Sequence, residues 1–169
     1  MKCLMMILLS GSILLQASET PLYCTEDTKT YCHIISNSPG INADYAFKVA
    51  NIIELKAKKY NLDPILLSAI FRQESNYRLS AKRCERRRCL DFGISQIYKR
   101  TAKAYKFDLK KLTTDLKYSI EAGAIVLSDF KKRYGKREKY YWVRYNCGTK
   151  RSIRRKTCNK YKRLVKRWK

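Results

Sequence analysis

Two adjoining segments with helical periodicity, residues 43–60 and 64–74, constrain the fold of this chain more than any other feature. The first repeats apolar side chains every three or four positions, at Tyr45, Ala46, Val49, Ile52, Ile53 and Ala57. This spacing predicts an amphipathic helix with one buried face. Asn61 ends it, and Asp63 followed by Pro64 predicts the N-cap and first residue of a second helix. That helix is apolar through Phe71 and continues to Glu74. Because both helices need a common core, the sequence predicts a mostly α fold.

The rest of the pattern adds helices and little sheet. A third helix is predicted after Ser95, a fourth from a capping Thr114 to about Gly135, and a short fifth over residues 139–146. No run alternates apolar and polar residues, so any sheet is minor. The basic stretch at residues 82–88 is too charged for a core and predicts a loop. We therefore expect one small helical domain.

The amino terminus has the layout of a secretory leader. An apolar stretch from Cys3 to Leu15 follows Lys2, and small residues come next at Ala17 and Ser18. This pattern predicts a signal peptide over residues 1–18, and the alternative is an uncleaved segment that anchors the protein. The expected location is the periplasm or the cell envelope. Residues 19–42 are rich in Thr, Ser, Pro and Asn and predict an irregular lead-in.

Removal of the leader leaves six cysteines, which fall into three couples that are close in sequence. We predict disulfides between them, because an exported protein meets an oxidising environment. The couples are Cys24 with Cys32, Cys84 with Cys89, and Cys147 with Cys158. A zinc site is the alternative, but the chain has a single histidine, His33, and no Cys-x-x-Cys pair. We expect no metal and no other cofactor, with His33 a surface or linker residue.

Positive charge is concentrated toward the C-terminus. The chain carries 38 Lys and Arg against 14 Asp and Glu, a net charge of +24, while 45% hydrophobic residues keep it in the range of folded proteins. Residues 131–169 hold 18 of the Lys and Arg and one acid. We predict a basic C-terminal tail over residues 150–169, partly helical, that meets the anionic cell envelope. No specific nucleic acid is expected for an exported protein, and a solvated face without a partner is the alternative.

Glu74 is the first candidate for chemistry. It follows Ile70 by four residues and Leu66 by eight, so its carboxylate lies on a helix row that is otherwise apolar. Desolvation penalises the ionised form, which raises the pKa of such a glutamate and suits it to general acid catalysis. The alternative is an acid at the helix end with its carboxylate in solvent, paired with Arg72 or Arg78.

Four short motifs follow Glu74 in a recognisable order. They are Glu-Ser at 74–75, Gly-Ile-Ser-Gln-Ile at 93–97, Tyr-Ser-Ile-Glu-Ala-Gly at 118–123, and Tyr-Asn-Cys-Gly at 145–148. This set resembles the soluble lytic transglycosylase (SLT) family. The resemblance implies a lysozyme-like helical fold of the goose-lysozyme or SLT type, with a catalytic domain at residues 43–149 and a basic C-terminal extension.

The resemblance also implies an activity and the residues that carry it. Members of the family cleave the β-1,4 bond between N-acetylmuramic acid and N-acetylglucosamine in peptidoglycan and leave a 1,6-anhydro product. Glu74 would be the catalytic acid and base. Gln96 and Asn146 would line the saccharide cleft, Tyr145 would hydrogen-bond to Glu74, and Ser75 would sit beside the sugar. The enzyme would serve a secretion or conjugation apparatus, or a phage.

Two residues depart from the family pattern, and a third, Asp91, is a candidate for a second carboxylate. Most glycosidases use two carboxylates, and Asp91 is the nearest second acid, predicted as either a catalytic partner or a turn residue. Ser95 stands where the family turn usually has Met, and Cys147 replaces a small Ala.

Two other functions stay open at this point: a hydrolytic lysozyme on the same fold, and a non-catalytic cationic wall-binding protein.

Overall fold

A computed structural model describes residues 24–85, 88–148 and 156–169. The predicted leader, residues 1–18, lies outside this part of the chain. The described helices are α1 (Lys29–Asn37), α2 (Ala43–Tyr60), α3 (Pro64–Ser75), α4 (Lys99–Ala104), α5 (Lys111–Thr114), α6 (Leu116–Tyr134), α7 (Arg144–Cys147) and α8 (Lys156–Trp168). Short 3-10 turns lie at Glu26–Thr28 and Tyr141–Val143, and one sheet contains β1 (Lys82–Glu85), β2 (Arg88–Phe92) and β3 (Ile97–Tyr98). The predicted mostly α class is confirmed. Among the described helices, none combines the length and the apolar character needed to cross a membrane.

Helix α3 runs through the centre of the fold. Every residue from Leu66 to Phe71 is buried, and α1, α2 and α8 all pack against this helix. Its start is as predicted, because the Asp63 carboxylate accepts hydrogen bonds from the backbone N–H of Ile65 (2.9 Å) and Leu66 (3.2 Å), and Pro64 follows at the first helical position. A helix that is apolar on all faces belongs inside a domain. The last turn of α3 leaves the core with its side chains partly or fully buried.

Helix α6 packs along α2, and a partly buried ion-pair cluster at Glu121 joins the two helices. Lys56 and Lys59 each donate to the Glu121 carboxylate at 2.6 Å, and the Tyr60 hydroxyl donates at 2.8 Å. Burial alone would raise the pKa of Glu121, but the hydrogen bonds from Lys56, Lys59 and Tyr60 outweigh it and lower the pKa to about 2. The helix is capped by Asp115, which accepts from the Tyr118 N–H, so the prediction of Thr114 as the cap is wrong.

The basic stretch at residues 82–88 was expected to form a loop and instead contributes to a hairpin. Strands β1 and β2 pair antiparallel, and β3 adds to the other edge of β2. The predicted disulfide between Cys84 and Cys89 joins β1 to β2. The sequence pattern missed these strands because all side chains of β1 face solvent, so the strand has no apolar face that the pattern could show. Its pairing with β2 depends on the backbone and the disulfide.

Residues 29–37 form helix α1, so the expectation of an irregular lead-in is wrong there. The predicted disulfide between Cys24 and Cys32 ties the preceding residues to this helix. His33 is half-buried and bridges three helices: its Nδ1 lies 3.0 Å from the Ser68 hydroxyl oxygen and its Nε2 contacts the carbonyl oxygen of Trp168. It is therefore not a surface or linker residue. Burial lowers its pKa, which keeps the imidazole neutral in this network.

Helix α8 is part of the packed body. Its residues Cys158, Tyr161 and Val165 are buried, and the helix lies against α3. This confirms a helix in the basic C-terminal segment. The predicted disulfide between Cys147 and Cys158 joins α7 to α8. The basic segment therefore contributes both to the core and to the surroundings of the α3 C-terminus.

Candidate active site

A cleft of about 640 Å³ opens at the C-terminal end of α3. Four of the five residues predicted for the site line it, namely Glu74, Gln96, Tyr145 and Asn146. The other lining residues are Arg83, Asp91, Tyr98, Thr101, Phe130, Arg144 and Gly148. Residues that are far apart in sequence thus meet around Glu74.

Glu74 lies in the last turn of α3, just before Asn76 reverses the chain in a left-handed conformation (φ 53°). Burial raises the pKa of its carboxyl group to about 7, against hydrogen bonds from Tyr161 and Asn146 that favour the ionised form, and the negative charge of Asp91 adds to the rise. A carboxyl group with this pKa is both a competent proton donor and a competent acceptor near neutrality. The raised pKa expected from the sequence is therefore present, and its main cause is desolvation.

The hydrogen bond that orients Glu74 comes from Tyr161 and not from Tyr145. The Tyr161 hydroxyl donates to Glu74 Oε1 at 2.8 Å, whereas the Tyr145 hydroxyl donates to the carbonyl oxygen of Ser95, also at 2.8 Å. The prediction that Tyr145 hydrogen-bonds to Glu74 is therefore wrong. The Tyr145 side chain comes from α7, and its hydroxyl binds the turn at Ser95. Burial and the Glu74 charge raise the pKa of Tyr161 well above its usual value, so its hydroxyl remains a donor.

The turn at residues 93–96 forms one end of the cleft. Gly93 has φ +78°, and a Cβ at this position would lie 2.0 Å from the carbonyl oxygen of Leu112, so glycine is required. Gln96 also has a positive φ, of 46°, and its amide nitrogen donates to the carbonyl oxygens of Ala81 (3.1 Å) and Gly93 (2.9 Å). These bonds use the amide N–H groups of Gln96 and leave its carbonyl oxygen as the polar group for a ligand.

Two serines near this turn serve the fold. Ser75 is 4% exposed, and its hydroxyl donates to the carbonyl oxygen of Ile94 at 2.7 Å. Ser95 is fully buried and donates to the carbonyl oxygen of Ser119 at 3.0 Å. Ser75 is not among the residues that line the cleft, and its hydroxyl holds the turn against α3, so its place beside the sugar stays a prediction. Ser95, where the family usually has Met, anchors the same turn to α6.

A buried arginine, Arg144, anchors helix α7, which carries Asn146. The Arg144 guanidinium is 3% exposed, forms a bidentate pair with Glu138 (2.9 and 2.5 Å) and stacks 3.7 Å from the centre of the Tyr134 ring. It also donates to the carbonyl oxygen of Gly148 at 3.1 Å, which closes the turn after α7. A bidentate pair fixes direction as well as distance, so α7 presents Asn146 to the cleft on a rigid support.

Asp91 lies in strand β2 and not in a turn. Its Cα pairs with Arg83 on one side and Tyr98 on the other, so these three residues form a row across the sheet, and all three line the cleft. The Asp91 carboxylate forms an ion pair with the Arg83 guanidinium, which also pairs with Glu85 at 2.8 Å. Asp91 is thus paired with Arg83, and its negative charge still contributes to the raised pKa of Glu74.

Tyr161 is the site residue that the sequence analysis missed. A signal was present, because Cys158, Tyr161, Val165 and Trp168 recur at helical spacing and Cys158 was predicted to bond Cys147, the neighbour of Asn146. Combining these two observations would have brought Tyr161 to the site. Arg83 and Arg144 carried no comparable signal, because the charge bias of the chain conceals individual cations, and Tyr98 stood in no motif.

Within the described residues, no group of three or more His, Cys, Asp or Glu side chains has the arrangement of a metal site.

Comparison with known proteins gives one family. The model of the transglycosylase SLT domain matches residues 51–167, which is most of the chain and includes nearly all of α8. No curated protein and no solved structure matches the chain.

Proposed function

This chain belongs to the family of proteins with a transglycosylase SLT domain, a lysozyme-like family that acts on peptidoglycan, and on that premise we propose that Glu74 is its catalytic acid and base. The observation that carries this proposal is the environment of the Glu74 carboxyl group. It lies in the cleft with a pKa of about 7 and receives hydrogen bonds from Tyr161 and Asn146. With this pKa the carboxyl group can be protonated near neutral pH, which is the state that the first step needs.

The proposed reaction has two proton transfers and consumes no water. Protonated Glu74 donates its proton to the glycosidic oxygen, and the C1–O bond breaks with its electron pair going to the departing sugar. The Glu74 carboxylate then takes the proton from the 6-hydroxyl of the muramic acid, whose oxygen bonds to C1. The product carries a 1,6-anhydro ring, and Glu74 is protonated again for the next cycle.

The arrangement of Asp91 favours a mechanism with one catalytic carboxylate. Glu74 and Asp91 are the carboxyl groups that line the cleft within the described residues, and Asp91 is paired with Arg83. A paired carboxylate is a poor nucleophile and a poor base. The positive charge that develops at C1 is then stabilised by the acetamido group of the substrate, a known exception to the two-carboxylate rule. The role that we propose for Asp91 is electrostatic, since its charge contributes to the raised pKa of Glu74.

We also propose that the protein is exported and acts at the anionic cell envelope. Three disulfides support an oxidising location. The net charge of +24 supports attraction to an anionic surface, which increases the rate of encounter with the wall at low ionic strength.

Digestion of purified peptidoglycan tests the proposal. We expect the wild type to release muropeptides with 1,6-anhydro ends, identified by mass spectrometry, and Glu74→Gln to release none above background. Asp44→Asn is the matched control, because it removes one negative charge at an exposed position of α2 outside the cleft. Thermal unfolding of each variant confirms that it is folded. Reducing ends would assign a hydrolytic lysozyme, and equal release by Glu74→Gln would reject Glu74 as the catalytic group.

A further inference from the structure

One of the disulfides lies beside Glu74. Cys147 and Cys158 join helix α7 to helix α8, and both side chains are buried. Cys147 directly follows Asn146, and Cys158 precedes Tyr161 by three positions, which places the latter two on one face of α8. Asn146 and Tyr161 both hydrogen-bond to the Glu74 carboxyl group. The disulfide therefore connects the two helices at the points where each of them reaches Glu74.

Helix α8 covers the Glu74 carboxyl group with the side chain of Tyr161. This side chain is 5% exposed, and its hydroxyl donates to Glu74 Oε1 at 2.8 Å. Its ring lies beside the ring of Trp142, with 6.5 Å between the ring centres. Burial is the main cause of the raised pKa of Glu74, because water that would solvate the ionised carboxylate is excluded. The position of α8 thus affects both the hydrogen bonding and the desolvation of this acid.

Electrostatic repulsion opposes the packing of α8. Residues 156–169 include seven Lys and Arg and no Asp or Glu. Lys162 and Lys166 lie over the Tyr140 ring, 3.6 and 4.3 Å from its centre. Lys139 approaches the same ring at 5.9 Å, so three ammonium groups meet where α8 contacts the segment before α7. Like charges at such distances repel each other. A covalent bond between α7 and α8 offsets this repulsion.

The contacts at the other end of α8 are noncovalent. The Trp168 indole N–H donates to Gln73 Oε1 at 3.2 Å, and Lys169 forms an ion pair with Asp63 at 2.7 Å. Surface ion pairs of this kind contribute at most about 1 kcal/mol. Both contacts lie about two helical turns beyond Tyr161. They hold the end of the helix, whereas the disulfide holds the turn that carries Tyr161.

We propose that Cys147 and Cys158 are positioning residues of this enzyme: their disulfide holds α8 over Glu74 and keeps water from its carboxyl group. This inference rests on the proposed function, in which Glu74 is the catalytic acid. Without the bond, the first turns of α8 separate from α7, and water reaches the carboxyl group. The pKa of Glu74 then falls toward its ordinary value of 4.5, because desolvation is the largest cause of the rise.

Other charged and titratable groups face Glu74 from elements that carry neither end of α8. They are Arg83 of β1, Asp91 of β2 and Tyr145 of α7. All three are retained when the disulfide is removed. A fall in the pKa of Glu74 therefore reports the position of α8.

The test is the pH dependence of kcat/KM for muropeptide release by the full-length double variant Cys147→Ala, Cys158→Ala. We expect the alkaline limit to move from about pH 7 to about pH 6 or lower. At pH 8 kcat/KM should fall at least about tenfold, because each unit of pKa lost removes about nine-tenths of the protonated acid there. Tyr161→Phe removes the hydroxyl but keeps the helix in place, so it should move the limit in the opposite direction.

The matched control is Cys24→Ala, Cys32→Ala. It removes a disulfide that spans 8 positions, against 11 for Cys147 and Cys158, and neither of its residues lines the cleft. Bonds that close loops of similar length stabilise the fold to a similar extent. Both double variants are assayed at a temperature where thermal unfolding shows them folded. The control should keep its alkaline limit near pH 7, since a general loss of stability lowers the rate without moving the limit. Equal shifts in the two double variants would overturn the inference.

Reduction tests the same bond without a substitution. A thiolate of dithiothreitol attacks one sulfur of the disulfide, and its second thiol then displaces the mixed disulfide. The protein gains two thiols, and dithiothreitol is oxidised to its cyclic disulfide. The alkaline limit of the wild type should fall on reduction and return on reoxidation, while that of Cys147→Ala, Cys158→Ala should not change. A further fall of the same size in the double variant would assign the effect to another disulfide and overturn the inference.

A titration without substrate separates this inference from the proposed function. The Glu74 carboxyl carbon is followed by 13C NMR and is assigned by the loss of its signal in Glu74→Gln. We expect it to titrate at lower pH in Cys147→Ala, Cys158→Ala than in the wild type or the control. A pKa that is unchanged or higher in this variant overturns the inference. If the pKa falls while Glu74→Gln still cleaves peptidoglycan, only the proposed function is rejected.

Discussion

Replacement of Tyr161 by Phe should move the alkaline limit of activity to higher pH. Glu74 must be protonated to donate its proton, so activity falls as pH rises through its pKa of about 7. The Tyr161 hydroxyl stabilises the ionised form of Glu74 through a 2.8 Å hydrogen bond, and Tyr161→Phe removes it. The substitution should therefore raise the pKa of Glu74, and more of the carboxyl group is protonated at a given alkaline pH.

The magnitude follows from the strength of that hydrogen bond. A hydrogen bond to a charged group contributes about 1.5–3 kcal/mol, and one pKa unit corresponds to about 1.4 kcal/mol. Asn146 also hydrogen-bonds to the carboxylate and retains part of the stabilisation, so we take the lower end of this range. The alkaline limit should move from about pH 7 to about pH 8.

The assay is the pH dependence of kcat/KM for muropeptide release, which reports the pKa of the free enzyme. The control is Tyr145→Phe, whose lost hydroxyl donates to Ser95 and not to Glu74. We expect that control to lower the rate without raising the alkaline pKa. An alkaline limit that stays in place in Tyr161→Phe, or moves to lower pH, would refute the argument that this hydroxyl sets the pKa of Glu74.

Three further predictions concern stability. The folded pKa of Glu74 lies above the unfolded value of about 4.5, so its contribution is complete below pH 4.5 and is lost as pH rises through 7. Glu74→Gln should therefore raise the free energy of unfolding by about 3 kcal/mol at pH 8 and not at pH 4, measured by urea denaturation. An equal gain at both pH values would contradict this prediction. The pKa of Glu121 is lowered to about 2, so its contribution is complete above pH 4.5 and is lost as pH falls through 2. Glu121→Gln, which leaves Lys56 buried, should cost about 3 kcal/mol at pH 7 with the loss shrinking toward pH 2, and a loss independent of pH would count against the ion pair. Gly93→Ala should lower the free energy of unfolding by more than about 3 kcal/mol, because its Cβ would clash with the Leu112 carbonyl oxygen. Gly40→Ala should lower it by about 1 kcal/mol, because Gly40 has a similar φ of +82° but open space around it. Similar melting temperatures for the two variants would reject the steric argument.

Helix positions and the catalytic candidate were available from local patterns. The α2 and α3 boundaries followed from apolar spacing and from the Asp63 cap, because these signals act between residues a few positions apart. Three disulfides followed from sequence proximity of the cysteines. Glu74 was conspicuous because a carboxylate interrupted an apolar row. Helix α1 was missed because its polar composition conceals an inward face at Thr30, Cys32 and Ile34.

Periodicity and chain proximity are local properties, and they were enough to predict helices α2, α3 and α6, the cysteine pairs and the glutamate at the end of the buried helix. Long-range packing is what shows which hydroxyl orients Glu74, that Ser75 and Ser95 hold the turn, and that Asp91 pairs with Arg83. Hydrogen bonds and desolvation depend on distances between residues that are remote in sequence, such as the 87 positions from Glu74 to Tyr161, and only packing brings those residues together.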